Sequence, residues 1–280
     1  PHVPAPLTAS GLPSAPMTDA GAPTPLSDLF SVDGKVVVVT GGTRGIGRMI
    51  AGGFIAGGAT VIVSSRKADA VAATVEELSA YGPCTGIPAD LSTEAGAEAL
   101  AEAVGAQTDH VDVLVNNAGA TWGVPLAEHD TASWNRVLDL NVQGVFHTTK
   151  FLLPLLQARA SAEEPSRVIN IGSIDGLRAP MMETYSYGAS KAAVHHLTRH
   201  LAKHLAPQVT VNAIAPGPFE SKMMAATLDA FGDQIAATTP MRRIGRPDDM
   251  AGAALFLASR AGAYLTGTVI PVDGGISTTA

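Results

Sequence analysis

The run Val36-Val-Val-Val-Thr40 passes directly into Gly41-Gly-Thr-Arg-Gly-Ile-Gly47, and that junction constrains the chain more than any other feature. An unbroken β-branched run suits a strand buried on both faces. Glycines at 41, 45 and 47 give the spacing G-x-x-x-G-x-G, and a helix is expected from about 46 to 56. Glycine permits the tight turn and lets backbone N–H groups approach a pyrophosphate, and a helix N-terminus favours the negative charge. A strand before and a helix after lift such a cluster above an ordinary turn. Gly41, Thr43, Arg44, Gly45, Ile46 and Gly47 are the expected contacts of a dinucleotide.

The same alternation continues. Strands are expected at 60–64, 84–88, 111–115, 168–171, 209–213 and 269–272. Helices are expected at 67–81, at 92–106 with Ser92 as N-cap, and from 133 to about 159 with breaks and a kink at Pro154. A further helix begins near Tyr187. Strands alternating with helices predict an α/β domain, a parallel sheet with helices on both faces. No shift of composition divides residues 29–280, so a single domain is expected there. Residues 1–28 differ: Pro1, Pro4, Pro6, Pro13, Pro16, Pro23 and Pro25 alternate with small residues, and no Lys or Arg precedes Lys35. Such a segment cannot form a core, and it lacks the basic start and apolar stretch of a secretory signal.

A net charge of −7 argues against a general nucleic-acid binder. Cys84, the one cysteine, cannot form an internal disulfide, which fits the cytoplasm. No apolar run is long enough to span a bilayer.

Dinucleotide sites for NAD usually carry an acid at the end of the second strand, on the ribose 2′-OH. That place reads Val63-Ser-Ser-Arg66. Arg66 and Arg44 can clamp a 2′-phosphate, with Ser65 adding a hydrogen bond, so NADP(H) is favoured over NAD(H). Asp69 lies nearby and keeps NAD in play.

The stretch Thr184-Tyr-Ser-Tyr-Gly-Ala-Ser-Lys191 holds two tyrosines and one lysine. Residues four apart share a helix face, so Tyr187 rather than Tyr185 meets Lys191. A ketone that accepts hydride must gain a proton at oxygen. An ammonium beside a phenol favours the phenolate, and moving its pKa down by ~3 units takes ~4 kcal/mol. Tyr187 is therefore expected to be acidified and to act as proton donor in reduction and base in oxidation. Ser173, at the end of a strand, is placed to polarise a carbonyl; a helix cap is the plainer reading of that hydroxyl.

Together, Thr40–Gly47, Asn116-Asn-Ala-Gly119, Asn141, Ser173, Tyr187-x-x-x-Lys191, Pro216-Gly217 and Val272-Asp-Gly-Gly275 resemble the short-chain dehydrogenases/reductases, from residue 30 to the C-terminus. The resemblance implies a Rossmann-like, doubly wound sheet of about seven parallel strands. It makes Ser173, Tyr187 and Lys191 the catalytic group, with Asn141 holding a water in a proton relay through Lys191, which also binds the nicotinamide ribose. It puts Asp90 and Leu91 at the adenine, Asn117, Ala118 and Gly119 along the cofactor, and Pro216, Gly217, Phe219 and Ser221 at the nicotinamide amide. The family usually has threonine where Ser221 stands. It also implies a homotetramer or homodimer.

A nearer similarity, carried by Ala80-Tyr-Gly-Pro-Cys84, Trp122-Gly123 and Tyr264-Leu-Thr-Gly-Thr268, is to 3-oxoacyl reductases of the rhamnolipid-biosynthesis type. The expected activity is NADPH-dependent reduction of a 3-oxoacyl thioester on a carrier protein or CoA, with Arg159, Arg167 or Lys203 as a docking patch for an acidic carrier. The alternatives are a dehydrogenase of a sugar, polyol, steroid or other secondary alcohol, and a non-enzymatic NADP-sensing regulator. Met223, Met224, Phe231 and Met241 suit a lid over an apolar substrate. His196, His200 and His204 recur every four residues without supporting carboxylates, and no metal is expected.

Overall fold

The computed structural model describes residues 23–221 and 224–279, so most of the proline-rich extension, and Met223, lie outside the described residues. Seven parallel strands form one sheet: β1 (Val36–Thr40), β2 (Thr60–Ser65), β3 (Cys84–Pro88), β4 (Val113–Asn116), β5 (Ser166–Ile171), β6 (Val209–Pro216) and β7 (Val269–Val272). Their order is β3-β2-β1-β4-β5-β6-β7. The helices are α1 (Leu26–Leu29), α2 (Gly45–Ala56), α3 (Ala68–Ser79), α4 (Glu94–Gly105), α5 (Thr131–Leu138), α6 (Val145–Gln157), α7 (Tyr185–Leu205), α8 (Ala225–Thr238) and α9 (Pro247–Ala258). This is the single-domain, Rossmann-like fold that the alternation of elements predicts.

β1 explains why the sheet is covered twice. Val37 and Val39 pack with Ile50, Phe54, Met250 and Leu257 of α2 and α9. Val38, between them, points the other way, to Leu100, Leu114 and Leu152 beneath α4 and α6. Successive strand side chains face opposite sides, so a strand buried on both must be apolar throughout. The chain moves outward from β1 to β3, then returns to place β4 on the other side of β1. That reversal opens a crevice at the C-terminal ends of β1 and β4, where open α/β sheets take their ligands.

One local expectation changes, and the break expected within 133–159 is located. The cap of α4 is Thr93, whose hydroxyl accepts from the Gly96 N–H at 3.1 Å, while Ser92 turns back onto the Asp90 carboxylate at 2.7 Å. α6 runs unbroken through Pro154. The irregularity lies earlier, where a π turn spans Asp139–Gly144 and holds Asn141. No helix among the described residues is long and apolar enough to cross a membrane.

Candidate active site

The turn after β1 is shaped for close backbone approach. Gly41 and Gly45 have φ of +63° and +52°, a region that side chains disfavour. At Gly47 a Cβ would overlap the Gly41 carbonyl and the Asn117 amide. Asn117 locks this turn to the end of β4: its Nδ2 donates to the carbonyls of Thr40 (2.9 Å) and Gly41 (3.1 Å). The N–H groups of Asn117 and Ala118 both donate to the Thr40 hydroxyl at 3.0 Å. Ile46 packs on the core, and Thr43 accepts from the Thr74 hydroxyl.

Arg44 and Arg66 are exposed at the ends of the paired strands β1 and β2, and among the described residues neither forms an ion pair with a carboxylate. Ser65 ends β2, and no acid stands beside it on the strand. Asp90 accepts both hydrogen bonds of Ser92, and with the nearby Arg66 these hold its carboxyl below the usual range against the opposing effect of burial. Leu91 is buried in the core.

β5 and α7 build the second half of the site. Ser173 follows β5, and its hydroxyl caps the short 3-10 turn Ile174–Gly176 by accepting from the Asp175 N–H at 3.1 Å. The plainer reading of Ser173 therefore holds alongside its place beside Tyr187, with whose phenol the same hydroxyl interacts. Tyr187 and Lys191 share a face of α7, the Lys191 Nζ lying 5.6 Å from the centre of the Tyr187 ring. Lys191 is buried and donates to the Ile171 carbonyl at 2.8 Å.

The expected acidification of Tyr187 is not what the environment produces. Burial pushes the phenol up to about 12; the Ser173 hydroxyl works against that rise and the Asp175 carboxyl adds to it. Burial also pulls Lys191 down to about 8. Removing both groups from water penalises their charged forms, and this outweighs the attraction that the spacing suggested. Tyr187 thus stays protonated at neutral pH.

Asn141 is buried in the π turn, and its amide is spent on protein groups. Oδ1 accepts from the Ala120 N–H at 2.8 Å; Nδ2 donates to the Ala120 carbonyl and the Ser190 hydroxyl, both at 2.9 Å. Ser190 in turn donates to the Tyr187 carbonyl at 2.7 Å. The side chain clasps the start of α7 to the loop after β4. Gly119 sits between it and Lys191, a Cβ there falling 3.3 Å from Asn141 Oδ1 and 3.7 Å from Lys191 Nζ.

Pro216 closes β6, and the Gly217 N–H donates to Val272 at 3.0 Å. The backbone then carries Ser221 to the phosphate turn, 3.0 Å from where a Gly45 Cβ would lie. The Phe219 side chain is buried in the core with its ring packed on Gly245, which leaves its backbone as the part that can face a nicotinamide amide. An apolar ring next to a glycine gains more from burial than from an edge against a polar amide. Beyond it, α8 carries no fully buried residue among those described, and Phe231 and Met241 are exposed. An element with so little buried surface is suited to a lid.

The docking patch also changes. Arg167 is 3% exposed and donates to the carbonyls of Pro165 and Ser259, so it is unavailable to a partner. Arg159 is exposed but pairs with Asp109 at 2.8 Å. Lys203 lies at the C-terminal end of α7, opposite Tyr187. His196, His200 and His204 are exposed on the same helix, and no group of three or more candidate metal ligands occurs among the described residues.

Two residues near the site were missed. Asp175 contributes to a cavity of about 500 Å³, together with Leu177, Arg178, Pro180, Met182 and Tyr185. His195 continues the four-residue spacing Tyr187–Lys191 into the protein, where it is buried. That spacing was the available signal; the regular series 196, 200, 204 ran beside it.

A sheet of this order, with a glycine turn at its crevice and Tyr187, Lys191 and Ser173 gathered beside it, defines a class of nucleotide-dependent oxidoreductases, and the chain belongs to the short-chain dehydrogenase/reductase family. The family model described as enoyl-(acyl carrier protein) reductase matches residues 41–277. The rhamnolipids biosynthesis 3-oxoacyl-[acyl-carrier-protein] reductase of Pseudomonas aeruginosa is 51% identical over 252 residues, 88% of this chain and 97% of the relative. A solved structure, the Pseudomonas aeruginosa RhlG/NADP active-site complex, matches with a TM-score of 0.87 at 50% identity, covering 89% of this chain and 99% of that one. The galactitol 2-dehydrogenase (L-tagatose-forming) of Cereibacter sphaeroides is 38% identical over 88% of this chain and 96% of its own length.

Proposed function

We propose that the chain is an NADPH-dependent reductase of 3-oxoacyl thioesters. The observation that carries the reading is the meeting of Ser173, Tyr187 and Lys191 at the mouth of the glycine-lined crevice. The 51% identity to a 3-oxoacyl-[acyl-carrier-protein] reductase supports the substrate class.

The residues present fit the dinucleotide. Gly41 and Gly45, at positive φ, and Gly47, with no room for a side chain, keep this turn tight and its backbone bare, and the exposed guanidiniums of Arg44 and Arg66 suit a 2′-phosphate. Ser65, Asp90, Asn117, Ala118, Gly119, Gly217 and Ser221 would line it. When bound, the cofactor supplies the hydride. The chain supplies the proton and the placement. The Ser173 hydroxyl donates to the carbonyl oxygen as negative charge grows there. Tyr187, held protonated, gives its phenolic proton to that oxygen, which as an alkoxide is the stronger base. Lys191, largely an ammonium at neutral pH, offsets the charge left on Tyr187. A protonated phenol is the resting state that reduction requires. The buried, unpaired Cys84 suits a reducing cytoplasm. The exposed face of α7, with His196, Arg199 and His200, is a candidate contact in a homotetramer or homodimer.

The relative that oxidises galactitol keeps a polyol dehydrogenase as the second reading. Initial rates with NADPH and acetoacetyl thioesters, beside a panel of ketones and alcohols, separate the two. The proposal expects thioester turnover that falls at least a hundredfold in Tyr187→Phe. Turnover of polyols alone would replace it. Absence of turnover with tight NADPH binding would favour a regulator.

A further inference from the structure

We propose that His195 is a positioning residue for Ser173, a buried wedge that sets the turn on which that hydroxyl stands. The inference rests on the reading of Ser173 as the carbonyl-polarising group.

His195 lies one helical turn beyond Lys191 on α7 and is 3% exposed. Its ring faces the two glycines that bracket Ser173. A Cβ at Gly172 would overlap the imidazole at Nε2, and one at Gly176 would come within 2.9 Å of Cε1. Ser173 lies between these glycines, its hydroxyl capping the turn that ends at Gly176. The flat ring therefore fills the space beneath the Gly172 end of this turn, where only glycine leaves room for it; at Gly176 the α7 backbone at Lys191 and Ala192 comes closer still, 2.6 and 2.7 Å from where a Cβ would lie.

The chemistry of the imidazole agrees with a wedge rather than a proton carrier. Neither ring nitrogen makes a hydrogen bond of normal geometry with the described residues. Burial first, then the nearby charges of Lys191 and Arg199, outweigh the Gly176 backbone and hold the ring down to about 4. It is neutral throughout the working range and adds no positive charge beside Lys191. A buried polar group with poor partners is a burden on stability. A leucine or methionine would lift that burden but would not present the same flat face to both glycines.

A double-mutant cycle tests the proposal, with thermal midpoints and NADPH affinity measured alongside kcat and KM. His195→Ala should lower kcat roughly tenfold, since small displacements of a reacting group are costly, with NADPH affinity unchanged. In a Ser173→Ala background the same change should have less than about a twofold effect, because the group it positions is gone. His195→Gln, with a planar end, should recover part of the rate. Gly172→Ala provides a second route: it should slow the enzyme more than His195→Ala does, by crowding the ring, and combining it with His195→Ala should bring the rate back to the level of His195→Ala alone. A full His195→Ala loss persisting in the Ser173→Ala background would overturn the wedge, as would an unaffected kcat or a Gly172→Ala defect that His195→Ala fails to relieve. Unchanged turnover in Ser173→Ala alone would instead overturn the reading of the site.

Discussion

Two glycine turns close the C-terminal ends of β1 and β5, and glycine serves them differently. In Gly41–Gly47 it supplies positive φ and bare backbone facing the crevice. In Gly172–Gly176 neither glycine has positive φ, and what they supply is room on the inner side, for the His195 ring at Gly172 and for the α7 backbone together with that ring at Gly176. The first turn is open to a ligand, the second is filled by its own protein. One residue type thus marks a binding surface in one place and an internal joint in the other.

Breaking the second turn at its functional atom should have the largest effect. Ser173→Ala removes the hydroxyl proposed to donate to the developing oxyanion, and kcat should fall a hundred- to a thousandfold, roughly 3–4 kcal/mol. NADPH affinity, by fluorescence titration, should hold. A parallel loss of affinity would mean that the two turns are not separable.

The joint beneath that turn should show itself in acid. An exposed imidazole titrates near 6.5, whereas His195 is held down to about 4. As pH falls below 6.5 the unfolded chain takes up a proton that the folded chain refuses, so stability declines until about pH 4. The contribution is intact above pH 6.5. At about 1.4 kcal/mol per pH unit, the loss approaches about 3 kcal/mol. Denaturant midpoints at pH 7 and 4.5 should therefore converge in His195→Gln relative to the parent. Equal declines in both proteins would place the acid sensitivity elsewhere.

The first turn should respond through backbone crowding. Gly47→Ala forces a methyl against the Gly41 carbonyl and Asn117, and overpacking of this kind destabilises by about 1–3 kcal/mol. Both the thermal midpoint and NADPH affinity should fall, because Asn117 ties this turn to β4. A lower midpoint with intact affinity would mean that the cradle tolerates the methyl and only the tie is lost.

The contrast also explains what could be read from the chain. β1 and its turn were legible because burial on both faces demands a continuous apolar run and a ligand-facing turn demands local glycine spacing. Tyr187 and Lys191 were legible for the same reason: their relation lies within one helix. Phe219, His195 and the acid–base balance of Tyr187 were not. Each depends on a partner far along the chain: Phe219 on Gly245, His195 on Gly172, Tyr187 on the burial around α7 as a whole. Thr93 displaced Ser92 as a cap for a local reason, because Asp90 already held the serine hydroxyl. The break expected within 133–159 formed at the turn that holds Asn141, whose amide is clasped by Ala120 from outside the helix, while α6 runs on through Pro154.

The smallest expected effect is the one that separates the two cofactors. Arg66 stands exposed after β2, two residues from the Ser64 that pairs with Thr40 of β1, and no carboxylate occupies its place. Its effect on the cofactor should be confined to the 2′-phosphate, the one group by which NADPH and NADH differ. Losing a charge-assisted hydrogen bond at an exposed site should weaken NADPH about tenfold, or 1.4 kcal/mol, since solvent screens part of the pair. Arg66→Ala should therefore raise the KM for NADPH about tenfold and leave that for NADH unchanged. Raising the salt concentration should narrow the gap between parent and variant, as screening weakens exposed charges. A change of equal size for both cofactors would show Arg66 shaping the turn itself, and would make the first turn, like the second, a matter of internal support.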